Sequence, residues 1–321
     1  MSKYSGKKLS FEIYGASHEK CVGIIGEGLP ADFKPDLAAL QAFCDRRRPG
    51  RGNFASARRE EDIIIFDNEL KAGCFRAHIE NTDARSADYD GISTKPRPGT
   101  ADYTSFIKDG RIYPGGGRFS GRMTAPLCIL GGMCLQLLAE RGINISSRLK
   151  SVGGKEGGFD ELLKAAKIKG DSLGAVAEVS IKGVPAGLGD CLWDGLESSL
   201  SYLVFGIPGV KGIEFGSGFG GAAVTGSENN DTMRYDESGN VTFDTNNSGG
   251  ILGGITTGAD IVFSVAFKPT PSIGILQETV DLKTGRGCEI IIGGRHDVCY
   301  APRALPALEA AAAIVIYDLL E

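Results

Sequence analysis

Short apolar runs bounded by glycine, proline and polar residues recur along the chain, at a length that suits strands better than helices. Six of them predict strands: residues 8–15 (KLSFEIYG), 20–28 (KCVGIIGEG), 62–70 (DIIIFDNEL), 175–184 (AVAEVSIKGV), 209–216 (GVKGIEFG) and 259–268 (ADIVFSVAFK). Longer stretches predict helices over 34–47, 124–142, 158–170, 190–206 and the alanine-rich 304–321 that closes the chain. Residues 226–250 are polar and turn-rich, which reads as a long surface excursion with room for one hairpin.

The pattern also echoes itself. VGIIGEGLPADFKPDLAALQAF from Val22 and AEVSIKGVPAGLGDCLWDGLESSL from Ala177 both run strand, Gly-x-Pro-Ala, turn, helix, and share Gly28/Gly183, Pro30/Pro185 and Ala31/Ala186. Gly-x-Pro after a strand is also ordinary turn chemistry. The echo therefore fits either a single domain over 1–321 or two related halves, 1–150 and 151–321.

Composition adds bounds. A hydrophobic content of 42 % with mean hydropathy near zero describes a globular chain with ample core. No apolar run is expected to reach the ~20 residues of a membrane span. The lysines of MSKYSGKKLSFEIYG precede no apolar stretch of the signal-peptide kind, so no membrane or secretory role is expected. The eight cysteines are scattered, without C-x-x-C pairs or metal-type spacing, and read as small buried apolar residues in a reducing cytoplasm. No metal is expected. Glycine is the outlier: 47 of 321 residues, about twice the usual ~7 %. It clusters in YPGGGRFSGR, EFGSGFGGAA, NNSGGILGG and IIGGRHD, four loops that resemble the walls of a site where backbone approaches a ligand closely.

Charge sharpens this. The chain carries a net charge of -5, yet twelve of its eighteen arginines lie between Arg46 and Arg122, six of them in residues 46–59. Only Phe54 is aromatic within that run, so a nucleic-acid groove with interleaved rings is not expected. Arginine's planar fork matches phosphate and carboxylate oxygens in pairs, which points to a small molecule bearing several such groups. A rival signal is Gly216-Ser217-Gly218-Phe219-Gly220-Gly221, which satisfies the dinucleotide fingerprint after a predicted strand. The residues that follow, AAVTGSENND, offer little helix, so a nicotinamide-dependent oxidoreductase fails on context.

Eleven motifs in order, YGASHEK, DRRRPGRG, ARREED, IENTDARSADYD, RPGTADYT, GGGRFSGR, DSLGAVAEVSIKGVPAGLG, GVKGIEFGSGF, NNSGGILGGITTG, FKPTPSI and GRHDVCYAPRALP, together resemble the chorismate synthase family over nearly the whole chain. The resemblance implies an α+β fold with helices sandwiched between β layers, assembled as a homotetramer. It implies the 1,4-elimination of phosphate from 5-enolpyruvylshikimate 3-phosphate to give chorismate, with reduced FMN as cofactor and an external flavin reductant. The alternative is a catalytically impaired paralogue that binds flavin or shikimate-type anions.

By resemblance, His18 moves a proton near substrate and flavin with Ser17 beside it, and Asp297 takes a proton from the flavin N5 position. Ser120 joins them, and Thr100 stands where the family carries a second catalytic histidine. Arg46, Arg47, Arg97 and Arg122 fall on the substrate side. The flavin side takes Arg47, Arg118, Phe119, Ser120, Pro208, Gly209, Gly253, the run Lys268, Pro269, Thr270, Pro271, Ser272, and Arg295. The chain departs from the family pattern at several points near that site. GESHG reads GASHE, with Ala16 and Glu19; RSSAR reads RFSGR, with Phe119; Asn53 follows the arginine run; and NNSGG replaces NHSGG or NHAGG. His78 stands at an apolar strand position, and the segments near 70–78 and 150–170 are short.

Overall fold

In the computed structural model, which describes residues 2–48, 60–68, 71, 73–83, 93–293 and 297–320, the N-terminal third folds into one antiparallel sheet. It is built from β1 (Ser2–Ser5), β2 (Ser10–Gly15) and β3 (Cys21–Glu27), then α1 (Leu37–Asp45), β4 (Ile65–Phe66) and β5 (Phe75–Glu80), in the order β1-β2-β3-β5-β4. β5 shows why: Phe75, Ala77 and Ile79 point inward while Arg76 and Glu80 face solvent, the two-residue period of a half-buried strand. Asp36 starts α1 by accepting hydrogen bonds from the Ala38 and Ala39 amides.

After α2 (Asp102–Asp109) two 3-10 turns, Pro114–Phe119 and Gly121–Met123, lead into α3 (Thr124–Ala139). The second sheet is assembled from β6 (Asn144–Val152), α4 (Phe159–Ile168), β7 (Ala175–Lys182), α5 (Leu196–Phe205) and β8 (Val210–Phe215). A surface excursion follows with α6 (Gly226–Asn229), the hairpin β9 (Met233–Tyr235) and β10 (Val241–Phe243), and the hairpin β11 (Ile251–Leu252) and β12 (Ile255–Thr256). β13 (Ile261–Phe267) completes the order β6-β7-β13-β8, before the hairpin β14 (Gln277–Asp281) and β15 (Arg286–Ile290) and the final α7 (Ala301–Leu319).

Helices α3 and α7 form the central layer. α3 rests on β3 and β5 of the first sheet, α7 on β6 and β7 of the second, and the two helices pack on each other. Both are buried nearly all round, so neither shows the one-sided stripe of a surface helix. Small residues bring them close: a Cβ on Gly131 would overlap Ala310, side chain and backbone alike. The stretch Gly121–Ala139 is long and apolar enough for a membrane span, more than the sequence reading allowed, but it serves as core.

Two acids interrupt the apolar α7, and both are used. Asp318 accepts from the backbone amides of Lys7, Lys8 and Leu9 at 2.9, 2.8 and 2.7 Å, pinning the β1–β2 turn to the last helix. Glu309 takes both ends of the Arg46 fork at 2.6 and 2.8 Å, and the Ser147 hydroxyl at 2.7 Å.

The mixture of helices with several sheets agrees with expectation, but details differ. Strand 62–70 shrinks to Ile65–Phe66, and helix 190–206 breaks at Gly195 into the 3-10 turn Leu192–Asp194 and α5. α2, β5, β6 and the β14–β15 hairpin were not expected from the pattern. The dinucleotide-like glycines form a 3-10 turn, Gly218–Ala223, and no long helix opens there, as context required.

Gly131→Leu should destabilise the chain by about 1–3 kcal/mol through overpacking at the α3–α7 crossing, outweighing any gain in helix propensity. The midpoint of urea unfolding checks this.

Candidate active site

The site is built on the chain between α2 and α3. Gly115, Gly116 and Gly117 adopt successive positive φ values of 59, 82 and 51°, which side-chain-bearing residues rarely do. That turn lets the His18 ring lie directly against Gly115, where any Cβ would overlap its Nε2. Ser17 is buried beneath the turn; its amide donates to the Gly117 carbonyl and its hydroxyl to the Gly115 carbonyl, each at 3.3 Å. Ser120 then starts the next turn by accepting from the Arg122 amide at 3.2 Å.

Further back, Thr100 donates to the Arg97 carbonyl at 2.8 Å and accepts from the Asp102 amide at 3.2 Å, so its hydroxyl shapes the entry to α2. Two distant segments brace this loop. Lys268 donates to the Gly99 carbonyl, and Thr279 of β14 donates to the Pro96 carbonyl at 2.5 Å.

These elements enclose a cavity of about 540 Å³, within the ordinary range for small-molecule sites. The structure brings to its wall Arg97, Thr100, Arg118, Phe119, Ser120 and Arg122 from one segment. Pro208, Gly209, the run Lys268 to Ser272, and Asp297 come from elsewhere in the chain. Others of the expected set lie apart. Arg46 is committed to Glu309; Arg47 is only 1 % exposed and sits behind the wall; Gly253 lies in the β11–β12 turn, outside the lining. His18 faces a neighbouring cavity of about 1340 Å³, which shares Arg118, Phe119, Gly206 and Pro208 with the first. Arg295 and His296 fall outside the described residues, as do Arg51, Asn53, Arg58 and Arg59. His78 sits on β5 with Nδ1 at 2.7 Å from Asp67, away from both cavities.

Several wall residues were not among the expected site residues, among them the polar side chains Glu60, Tyr300 and Arg303. Their signal was present in the ARREED and CYAPR stretches, but nothing in residue type separates them from surface or core positions.

The electrostatics of the wall follow from burial. Asp62 receives Arg47 Nη1 at 2.8 Å on one oxygen and Arg122 Nη1 on the other. Arg122 also lies 3.5 Å from Glu60 Oε2 and donates to Asn81 Oδ1 at 2.9 Å and the Glu80 carbonyl at 3.0 Å. Arg97 forms a two-pronged pair with Asp102 at 2.7 and 2.8 Å. Arg303 Nη1 holds Asp297 at 2.6 Å, and Arg118 holds Asp109 at 2.6 Å. Burial, and then the Arg47 charge, push Arg122 below its ordinary value against the pull of Asp62 and Glu60. Burial likewise lowers Lys268, with Lys211 adding to it, and raises the Tyr300 phenol against the pull of Arg47. Lys268 is the wall cation with no carboxylate partner among the described residues.

Such a wall can take up a multiply charged anion: guanidiniums held by second partners do not reorient, so the direction of their charge is fixed in advance. Asp62 is the keystone of that arrangement. Asp62→Ala should cost about 3–5 kcal/mol because it strands two buried guanidiniums. Asp109→Ala, whose partner Arg118 is 39 % exposed, should cost under about 1 kcal/mol. Chemical denaturation of the two variants checks the contrast.

A family model described as chorismate synthase matches residues 9–320. Similar curated proteins named chorismate synthase include that of Methanosarcina barkeri, 41 % identical over 98 % of this chain and 94 % of its own length. Those of Methanosarcina mazei and Archaeoglobus fulgidus are 40 % and 39 % identical over 98 % of this chain, and 94 % and 96 % of their own lengths. A crystal structure described as chorismate synthase superposes with a TM-score of 0.73 at 25 % identity, covering 98 % of this chain and 92 % of the other.

Proposed function

The chain belongs to the chorismate synthase family, and on that premise we propose that it is a phosphate lyase that converts 5-enolpyruvylshikimate 3-phosphate to chorismate with reduced FMN. The observation that carries this reading is the wall itself: Arg97, Arg118, Arg122 and Lys268 converge with glycine backbone on one cavity. The substrate's phosphate and two carboxylates match that set of donors.

The residues present fit a flavin phosphate and a flat ring. Thr270 presents a buried hydroxyl oxygen with no partner among the described residues, beside Lys268 and between Pro269 and Pro271. Gly116 and Gly209 add wall without side chains. The two adjoining cavities share Arg118 and Phe119, so together they offer room for cofactor and substrate. When bound, reduced FMN supplies an electron-rich ring to an elimination with no net redox change.

The chain's own residues have separable tasks. Arg97 and Arg122, held by Asp102 and Asp62, bind and orient the anion, and stabilise charge on departing phosphate. His18, packed on Gly115, lines the second cavity, which shares Arg118 and Phe119 with the first, and an imidazole there is suited to proton transfer. Asp297 is kept in position by Arg303. Thr100 has no proton to exchange near neutral pH, and its hydroxyl serves the loop. Assembly as a homotetramer would cover the exposed Leu192, Trp193, Tyr202 and Phe205, and the cytoplasm would provide an external flavin reductant.

His18→Ala should nearly abolish chorismate formation in an anaerobic assay with chemically reduced FMN. Thr100→His should raise turnover, since a positioned acid is worth ~10² to 10⁴ in rate, while flavin affinity stays nearly constant. A parent as fast as ordinary chorismate synthases with an inactive Thr100→His would place the acid elsewhere. Tight substrate binding without turnover in the parent would favour the binding-only paralogue.

A further inference from the structure

Glu60 was not among the residues expected at the site, yet it lines the cavity at 4 % exposure. Its Oε2 lies 3.5 Å from Arg122 Nη1, and its Oε1 is buried with no hydrogen-bond partner among the described residues. An unsatisfied buried oxygen at a cavity wall is costly unless a ligand or a proton meets it.

Among the described residues the buried charges around it are balanced. Arg47, Arg97 and Arg122 are buried, and so are Asp62, Asp102 and Glu60, one carboxylate for each guanidinium. At the more open wall Arg118 and Arg303 carry Asp109 and Asp297 as partners, leaving Lys268 without one among the described residues. A phosphate-type dianion entering this cavity therefore adds charge that the buried set does not compensate, and it competes with Glu60 for Arg122.

Protonating a carboxylate relieves that excess, and the carboxylates are not equivalent. Both oxygens of Asp62 accept from guanidiniums, as do both oxygens of Asp102. Asp297 is held by Arg303 at 2.6 Å. Among the described residues, Glu60 is the one of the three buried carboxylates Asp62, Asp102 and Glu60 with an oxygen that can take a proton without losing a hydrogen bond. Once protonated, that oxygen becomes a hydrogen-bond donor in the wall instead of an acceptor that repels an anion.

We propose that Glu60 takes up one proton when a phosphate-type dianion occupies the cavity, and donates a hydrogen bond to it from Oε1. This rests on the proposed function only in that the dianion is the substrate's phosphate. The test uses the full chain and two probes, sulfate, which does not titrate near neutrality, and 5-enolpyruvylshikimate 3-phosphate at pH 8, where its phosphate is a dianion. Calorimetric titration in buffers of different ionisation enthalpy should show close to one proton taken up per site. Affinity for sulfate should fall about tenfold per pH unit above neutrality, as one linked proton requires. In Glu60→Gln the uptake and the slope should vanish, with sulfate affinity at pH 8 equal to or above the parent's. Binding without proton uptake, undiminished uptake in Glu60→Gln, or no saturable sulfate binding overturns the proposal. Should the variant fail to fold, a flat pH profile in the parent alone overturns it. Proton-linked sulfate binding together with no binding of the phosphorylated substrate would instead overturn the lyase reading and leave the role of Glu60 standing.

Discussion

One carboxylate, Asp62, holds two buried guanidiniums, and much of the site hangs from it. Arg47 reaches it from the end of α1 and Arg122 from the turn before α3, while Arg303 at the start of α7 donates to the Arg47 carbonyl at 3.2 Å. Charges this deep are tolerated only as a connected set in which each member has partners. The set therefore ties three helices to one point. Asp62 itself adopts a positive φ of 49°, an unusual conformation for a non-glycine residue that the surrounding contacts hold in place.

Beneath that network lies the α3–α7 pair, whose small residues let two buried helices approach closely. Close packing there sets the position of both sheets, because α3 carries the first and α7 the second. The acids of α7 extend the same logic to the periphery. Asp318 fastens the N-terminal turn, and Glu309 holds the fork of Arg46. The arginine-rich segment thus divides its labour: Arg46 and Arg47 support the frame, while Arg97, Arg118 and Arg122 face the cavity.

Function depends on backbone as much as on charge. A turn of three glycines with positive φ brings Gly115 against the His18 ring, and the loop carrying Arg97 is shaped by Thr100 and braced by Lys268. The braces come from segments far apart in the chain. At position 100 the threonine hydroxyl shapes the turn into α2 and contributes no group that titrates near neutral pH.

The order of motifs determined the family, and period and composition determined most long elements, because strands such as β7 and β13 and the apolar stretch of α3 carry their burial in local pattern. The clustering of arginines likewise marked the segment that supplies Arg97, Arg118 and Arg122 to the cavity wall. Tertiary structure decided which arginines face the cavity and which carboxylate each one meets, since Glu309 lies 263 residues from Arg46, and Asp62 lies 15 and 60 residues from Arg47 and Arg122. It also decided that Glu60, Tyr300 and Arg303 belong to the wall and that His78 does not. β5, β6, the β14–β15 hairpin and α2 stayed hidden for a related reason: their stability comes from the neighbours that cover them, and a chain read residue by residue records its own pattern but not the partners that folding brings to it.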